Sequence, residues 1–249
     1  MAIPKEPRQL MINLMYLVLT ALLALNVSAE VMNAFKTIDD SLIKSNTITN
    51  SAIDEQQQGL ADLLADESKA KFRPLNGAIK EIRAIVSEFT DYIENIKYEL
   101  IDEAGDRDGN GNLDPEDYLY FDDPVKRIVK GKKNKDVTTR LMVEEGRGDT
   151  LEMKVAEVRK NIEEAYERVI SEPENAKAFG FRTPGGDVDT AAVNRNIRAF
   201  KNNISLETDK DWEQKLQKGK KMLSWADFRF RQMPLISVLP LLTKFQTDA

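Results

Sequence analysis

The hydrophobic pattern changes character once along this chain. From Leu10 to Ala29 the run LMINLMYLVLTALLALNVSA carries no charge and only scattered polar atoms. About twenty such residues in helical form reach across a bilayer core, so the run predicts a transmembrane helix over 10–29. After Glu30 the pattern becomes amphipathic. Val31, Phe35, Ile38 and Leu42 keep helical spacing, and no proline interrupts Glu30–Ala65. The helix is therefore expected to leave the membrane and run on into the body. Leu75, Ile79, Ile82, Val86, Phe89, Ile93, Ile96 and Leu100 then alternate steps of four and three, a heptad-type stripe. Pro74 suits its first turn and Gly105 its end. Leu151, Val155, Val158, Ile162, Ala165 and Val169 repeat the spacing; Val193, Ile197, Phe200 and Ile204 do so more briefly. Trp212, Leu216 and Leu223 predict a further helix. Stripes this narrow fit a long antiparallel bundle. The expected fold is all-α: a single N-terminal transmembrane helix followed by a helical bundle.

The rest of the chain divides around these stripes. Residues 1–9 read as a short N-terminal tail and 30–232 as the helical body. Residues 233–249, with Pro234 and Pro240 around an apolar stretch, read as a linker towards a missing distal domain. Gly105–Asp149 reads as a long irregular insertion. It holds a basic run, Lys126, Arg127, Lys130, Lys132, Lys133 and Lys135, expected to be a solvated loop, with anionic lipid or an acidic partner as the alternative. Gly185 and Gly186 lack the lysine and the preceding strand of a phosphate loop. They read as a turn ahead of a helix capped by Asp187 or Asp189.

Charge sets the orientation. Lys5 and Arg8 precede the apolar run, whereas Glu30, Asp39 and Asp40 follow it with only Lys36 between. Positive flanks stay in the cytoplasm, which places the body outside the inner membrane, in the periplasm. The alternative is a cleaved signal peptide, since Val27-Ser28-Ala29 resembles a cleavage site. Against it, the apolar run exceeds the usual signal core of roughly 7–15 residues, and the helical pattern continues past it. Within the run, Asn13, Tyr16 and Thr20 recur at helical spacing and share one face. Polar groups in hydrocarbon favour another protein surface, and Ala21 and Ala24 let a second helix approach. The alternative for Asn13 and Asn26 is a position at the membrane interfaces.

Composition narrows the chemistry. The net charge of -6 argues against a nucleic-acid binder. Cysteine and histidine are both absent, so disulfides, thiolate sites and histidine-based triads are excluded. No signature points to carboxylate or lysine catalysis, and the chain is expected not to be an enzyme. One metal-loop candidate stands out. Asp106, Asp108, Asn110 and Asn112 fall at the alternating oxygen positions of a calcium loop, with Gly111 at its sharp turn and Leu113 as its apolar pin. The loop ends in Asp117, where an EF-hand has a bidentate glutamate. The alternative is a polar Asx-Gly turn without an ion.

PRQLMINLMYLVLTALLALNVSAEVMNAF, Pro7–Phe35, resembles the opening of the GldM/PorM family of gliding-motility and type IX secretion motor proteins of Bacteroidetes. The Pro7-Arg8-Gln9 element, Met11–Val18, Ala21–Ser28 and Glu30 carry the resemblance, and Asn13, Tyr16, Asn26 and Ser28 match beyond mere hydrophobicity. The body and MPLISVLPLLTKFQTDA resemble the family more loosely. The resemblance implies one membrane helix, a helical first periplasmic domain and later β domains. It implies a homodimer whose two membrane helices stand inside a pentameric ring of a GldL/PorL-type polytopic partner. Proton flow would turn one against the other, and a periplasmic shaft would carry the motion to secretion components at the outer membrane. A dimer in an odd-numbered ring cannot satisfy every neighbour at once, so it must step. The ring would supply a titrating carboxylate. Arg8, the arginine of Pro-Arg-Gln, would be its counter-charge, being always ionised and able to bind carboxylate in a fork. The alternative is that Arg8, with Lys5, only sets orientation.

Overall fold

A computed structural model of the chain describes residues 7–105, 113–120, 122, 127–208 and 224–249; within these, the side chains of residues 7–8, 22–28, 68 and 70 are outside the description. The described residues are mostly helical, as the patterning predicts.

Helix α1 spans Pro7–Leu64 without interruption, about 87 Å at 1.5 Å per residue. A 3₁₀ turn, Glu67–Phe72, reverses the chain into α2, Arg73–Gly105. Proline sits in the first turn of α2, where its missing N–H is no loss. The insertion follows: a short 3₁₀ turn at Pro115–Asp117, and a two-stranded antiparallel ribbon of β1 (Tyr118–Leu119) and β2 (Ile128–Val129) that pairs Tyr118 with Val129. Then come α3 (Asp136–Thr139), a π-turn over Arg140–Glu144, α4 (Arg147–Ser171), α5 (Pro173–Ala178) and α6 (Thr190–Asn203). The last helices are α7 (Trp225–Phe230) and α8 (Leu235–Asp248). Trp212, Leu216 and Leu223 lie outside the described residues.

The predicted stripes are the core seams. Phe89, Ile93, Ile96 and Leu100 of α2 are buried against Leu151, Val155, Val158 and Ile162 of α4. Arg147–Glu99 at one end (2.8 Å) and Arg168–Glu81 at the other (3.0 Å) fit an antiparallel register. At the far end α6 closes a smaller cluster of Ile170, Ala176, Val193 and Ile197. There Tyr166 stacks on Phe200 and donates to Asn196 Oδ1 at 2.6 Å. Asp189 caps α6 through the Ala192 N–H, 2.9 Å, and Gly186, at φ 86°, turns the chain before it. Asp189 is therefore the cap.

Two expectations require correction. First, 233–249 is not a linker. It begins on Pro234 and forms α8, with Leu235 and Leu242 fully buried and Phe245 beside Trp225. The first N–H groups of a helix lack internal partners. Here Leu235 N–H reaches the Asn134 carbonyl (3.0 Å) and Ile236 N–H the Lys132 carbonyl (3.1 Å), so the apolar segment docks without stranded donors. Second, the insertion is not irregular throughout. Val137, Leu141 and Met142 enter the core, Thr138 donates to the Met233 carbonyl, and Thr139 accepts from Gln232 N–H. A Cβ on Gly131 would lie 2.2 Å from the Ala104 carbonyl oxygen, so glycine lets this segment pass against the end of α2. Of the basic run, Lys130, Lys133 and Lys135 are solvent-exposed; Lys126 lies outside the described residues.

Candidate functional site

Helix α1 carries both ends of any membrane-to-body coupling. From Leu10 to Leu19 every large apolar side chain is 40–68% exposed, Tyr16 included. No side of this stretch is covered by the body. Bare apolar surface costs about 25 cal/mol per Å² in water, so such a sleeve calls for lipid or another protein around it. Among the described residues, no helix is long and apolar enough to cross a membrane. The side chains of 22–28, within the Leu10–Ala29 run, are outside the description.

Asn13, Tyr16 and Thr20 do lie on one face, and all three are exposed. The Thr20 hydroxyl donates to the Tyr16 carbonyl at 2.7 Å, so its proton is satisfied within the helix. Arg8 stands in the first turn of α1, and its side chain lies outside the description. Asp106, Asp108, Asn110 and Asn112 of the candidate calcium loop also lie outside the described residues. Asp117 is fully buried. Its Oδ2 accepts the Asp114 N–H at 3.1 Å while Asp114 accepts from Glu116, a reciprocal cap of the 115–117 turn. Among the described residues, no group of three acidic side chains is placed to hold a metal ion.

Beyond residue 30, α1 shows two lanes. Met32, Phe35, Asp39, Leu42 and Asn46 turn towards the body and are half-buried. Val31, Ala34, Ile38, Ser41, Ser45, Ile48 and Ala52 form a second, exposed lane with the same alternation of three and four. The sequence reading merged them: Val31 and Ile38 belong outside, Phe35 and Leu42 inside. The inner lane packs mainly on α8, and α8 packs on α2; direct contact between α1 and α2 is slight. Helix α8 is thus the splint between α1 and the body.

Polar groups cluster at this joint. Thr243, fully buried on α8, donates to Asp39 Oδ1 at 2.6 Å. Three residues on, Gln246 donates to the Thr90 carbonyl and to Glu94 Oε2, both 3.2 Å. Glu94 also accepts from Lys97, which is only 6% exposed. A cavity of about 390 Å³ opens beside them, lined by Lys36, Asp39, Lys97, Tyr118 and Arg127 among others. Burial pushes the Asp39 carboxyl above the usual aspartate value, against the Thr243 hydrogen bond and the Lys97 charge. Burial likewise pushes the Tyr118 phenol up to about 12. Sequence reasoning missed Asp39, Thr243 and Gln246. The available signal was a charge between the apolar lane residues Phe35 and Leu42, and two polar residues three apart within LISVLPLLTKFQTD.

A family model described as the GldM N-terminal domain matches residues 30–249. The chain belongs to the GldM family. The match begins where the apolar run ends, so it rests on the body, the part in which the sequence resemblance was looser. It also includes α8, in keeping with the place of that helix in the fold. No curated protein matches the chain. Membership makes the chain a component of gliding motility and type IX secretion, in a membrane-associated family.

Proposed function

We propose that this chain is the shaft of an ion-driven inner-membrane motor. In this reading Leu10–Ala29 crosses the membrane, the N-terminus is cytoplasmic and the body is periplasmic. The observation that carries it is the unbroken α1, which passes from a bare apolar sleeve to a docked body with no joint between them. A helix that long transmits rotation or tilt where a flexible linker would absorb it. The sequence resemblance supports the rest of the reading: a homodimer inside a pentameric GldL/PorL-type ring, driven by protons and acting on distal secretion components. The chain works mechanically and not as an enzyme.

Arg8 is the proposed counter-charge to the ring's carboxylate, with Asn13, Tyr16 and Thr20 as contacts to the ring. Arg8→Ala is expected to keep membrane assembly and to abolish secretion and gliding. Normal secretion from an assembled Arg8→Ala complex would overturn the motor reading in favour of a passive single-pass scaffold. Calcium is a separate proposal for Asp106, Asp108, Asn110, Asn112 and Asp117, ordering the insertion. Titration calorimetry should register heat at millimolar calcium, and a flat trace against a chelated control would remove it.

A further inference from the structure

Met32, Phe35 and Leu42 are the apolar members of the inner lane that faces α8, and apolar contact is non-directional. Phe35 and Leu42 lie one heptad apart on the inner lane, so a slip of two turns along the seam exchanges one large apolar side chain for another. Dispersion and burial alone therefore define the register of shaft on body weakly. The Asp39–Thr243 bond is directional. It joins residues 204 apart in sequence, and its donor is fully buried. Any slide or rotation of α1 would break this bond and leave a half-buried carboxylate without its donor, a cost comparable to or larger than the bond itself. One turn further along α8, Gln246 fixes the same helix to Thr90 and Glu94 of α2. A single buried polar contact setting register is an established use of such groups in helical assemblies.

We propose, building on the shaft reading above, that Asp39 and Thr243 form a register pin. They hold α1 at one axial and rotational position on α8, so that motion of the shaft moves the body and is not lost as slippage. Both are positioning residues, acting through the seat of α1 on α8.

The test uses the full chain in lipid nanodiscs for hydrogen exchange and the same variants in cells for secretion. Thr243→Val keeps side-chain shape and removes the donor. Amides of residues 32–46 should exchange about tenfold faster, while those of 89–100 in α2 and 151–162 in α4 stay as in the parent, and secretion should be lost. Asp39→Leu tests the same bond from the half-buried side, where folding is less at stake, and should behave alike. Asp39→Asn keeps an acceptor for Thr243 and should retain both slow exchange and secretion. Unchanged exchange at 32–46, or acceleration spread evenly over α1, α2 and α4, would overturn the pin. Local loosening with normal secretion would overturn its role in transmission. Failure of the motor reading shows elsewhere, in normal secretion by Arg8→Ala.

Discussion

Asp39 shows how one residue can carry information that periodicity hides. It occupies a lane position where the pattern calls for an apolar side chain, and its burial raises its pKa above the unfolded value. A carboxyl whose folded pKa is raised contributes stability that is full below the unfolded pKa and is lost as pH rises through the folded one. Lys36, Asp40, Glu94, Lys97, Tyr98, Tyr118 and Arg127 line the same cavity, and all are common to parent and variant. Parent and Asp39→Asn should therefore diverge in urea midpoint as pH changes. The parent should gain relative to the variant as pH falls from 7 towards 4, and parallel profiles would exclude Asp39 as the source. By contrast, the lysines at 130, 133 and 135 are exposed, where a charge keeps its hydration.

At the scale of elements, α8 is the clearest disagreement between sequence and structure. Two prolines within ten residues read as punctuation, yet Pro234 starts the helix and Pro240 lies inside it. Carbonyls from the 132–134 segment satisfy the first amides, a contact between residues about a hundred apart that no local pattern announces. Leu242 is fully buried on this helix. Leu242→Ala should cost about 2–5 kcal/mol by chemical denaturation of the body; a linker residue would cost nothing measurable. The stripes on α2 and α4 were legible because each is a long amphipathic helix whose burial follows its period. The 136–144 stretch was not, because α3 spans one turn and the π-turn breaks the period.

The whole molecule presents a long helix with one lane docked and a neighbouring lane bare. Val31, Ile38 and Ile48 are 45%, 50% and 62% exposed, with Ala34, Ser41 and Ser45 between them and Ala52 beyond. Small residues alternating with branched ones let two helices pack closely. We expect the proposed dimer to use this lane. Ile38→Glu together with Ile48→Glu should shift the full chain towards monomer by light scattering in mild detergent, with the helical signal retained, since both side chains are exposed. A dimer unaffected by both charges would place the interface elsewhere.

By itself the sequence determined the helical class, the long α1, the two central stripes, a helix cap at Asp187 or Asp189 and the resemblance to the GldM family. Each rests on local periodicity, local capping or a contiguous motif, all of which are written in neighbouring residues. Only the tertiary structure decided that α1 divides into an inner and an outer lane, that 235–248 is core, and that Asp39 meets Thr243. Those outcomes depend on which distant segment fills the space beside a helix and satisfies its polar groups, and contacts across two hundred residues leave no period along the chain.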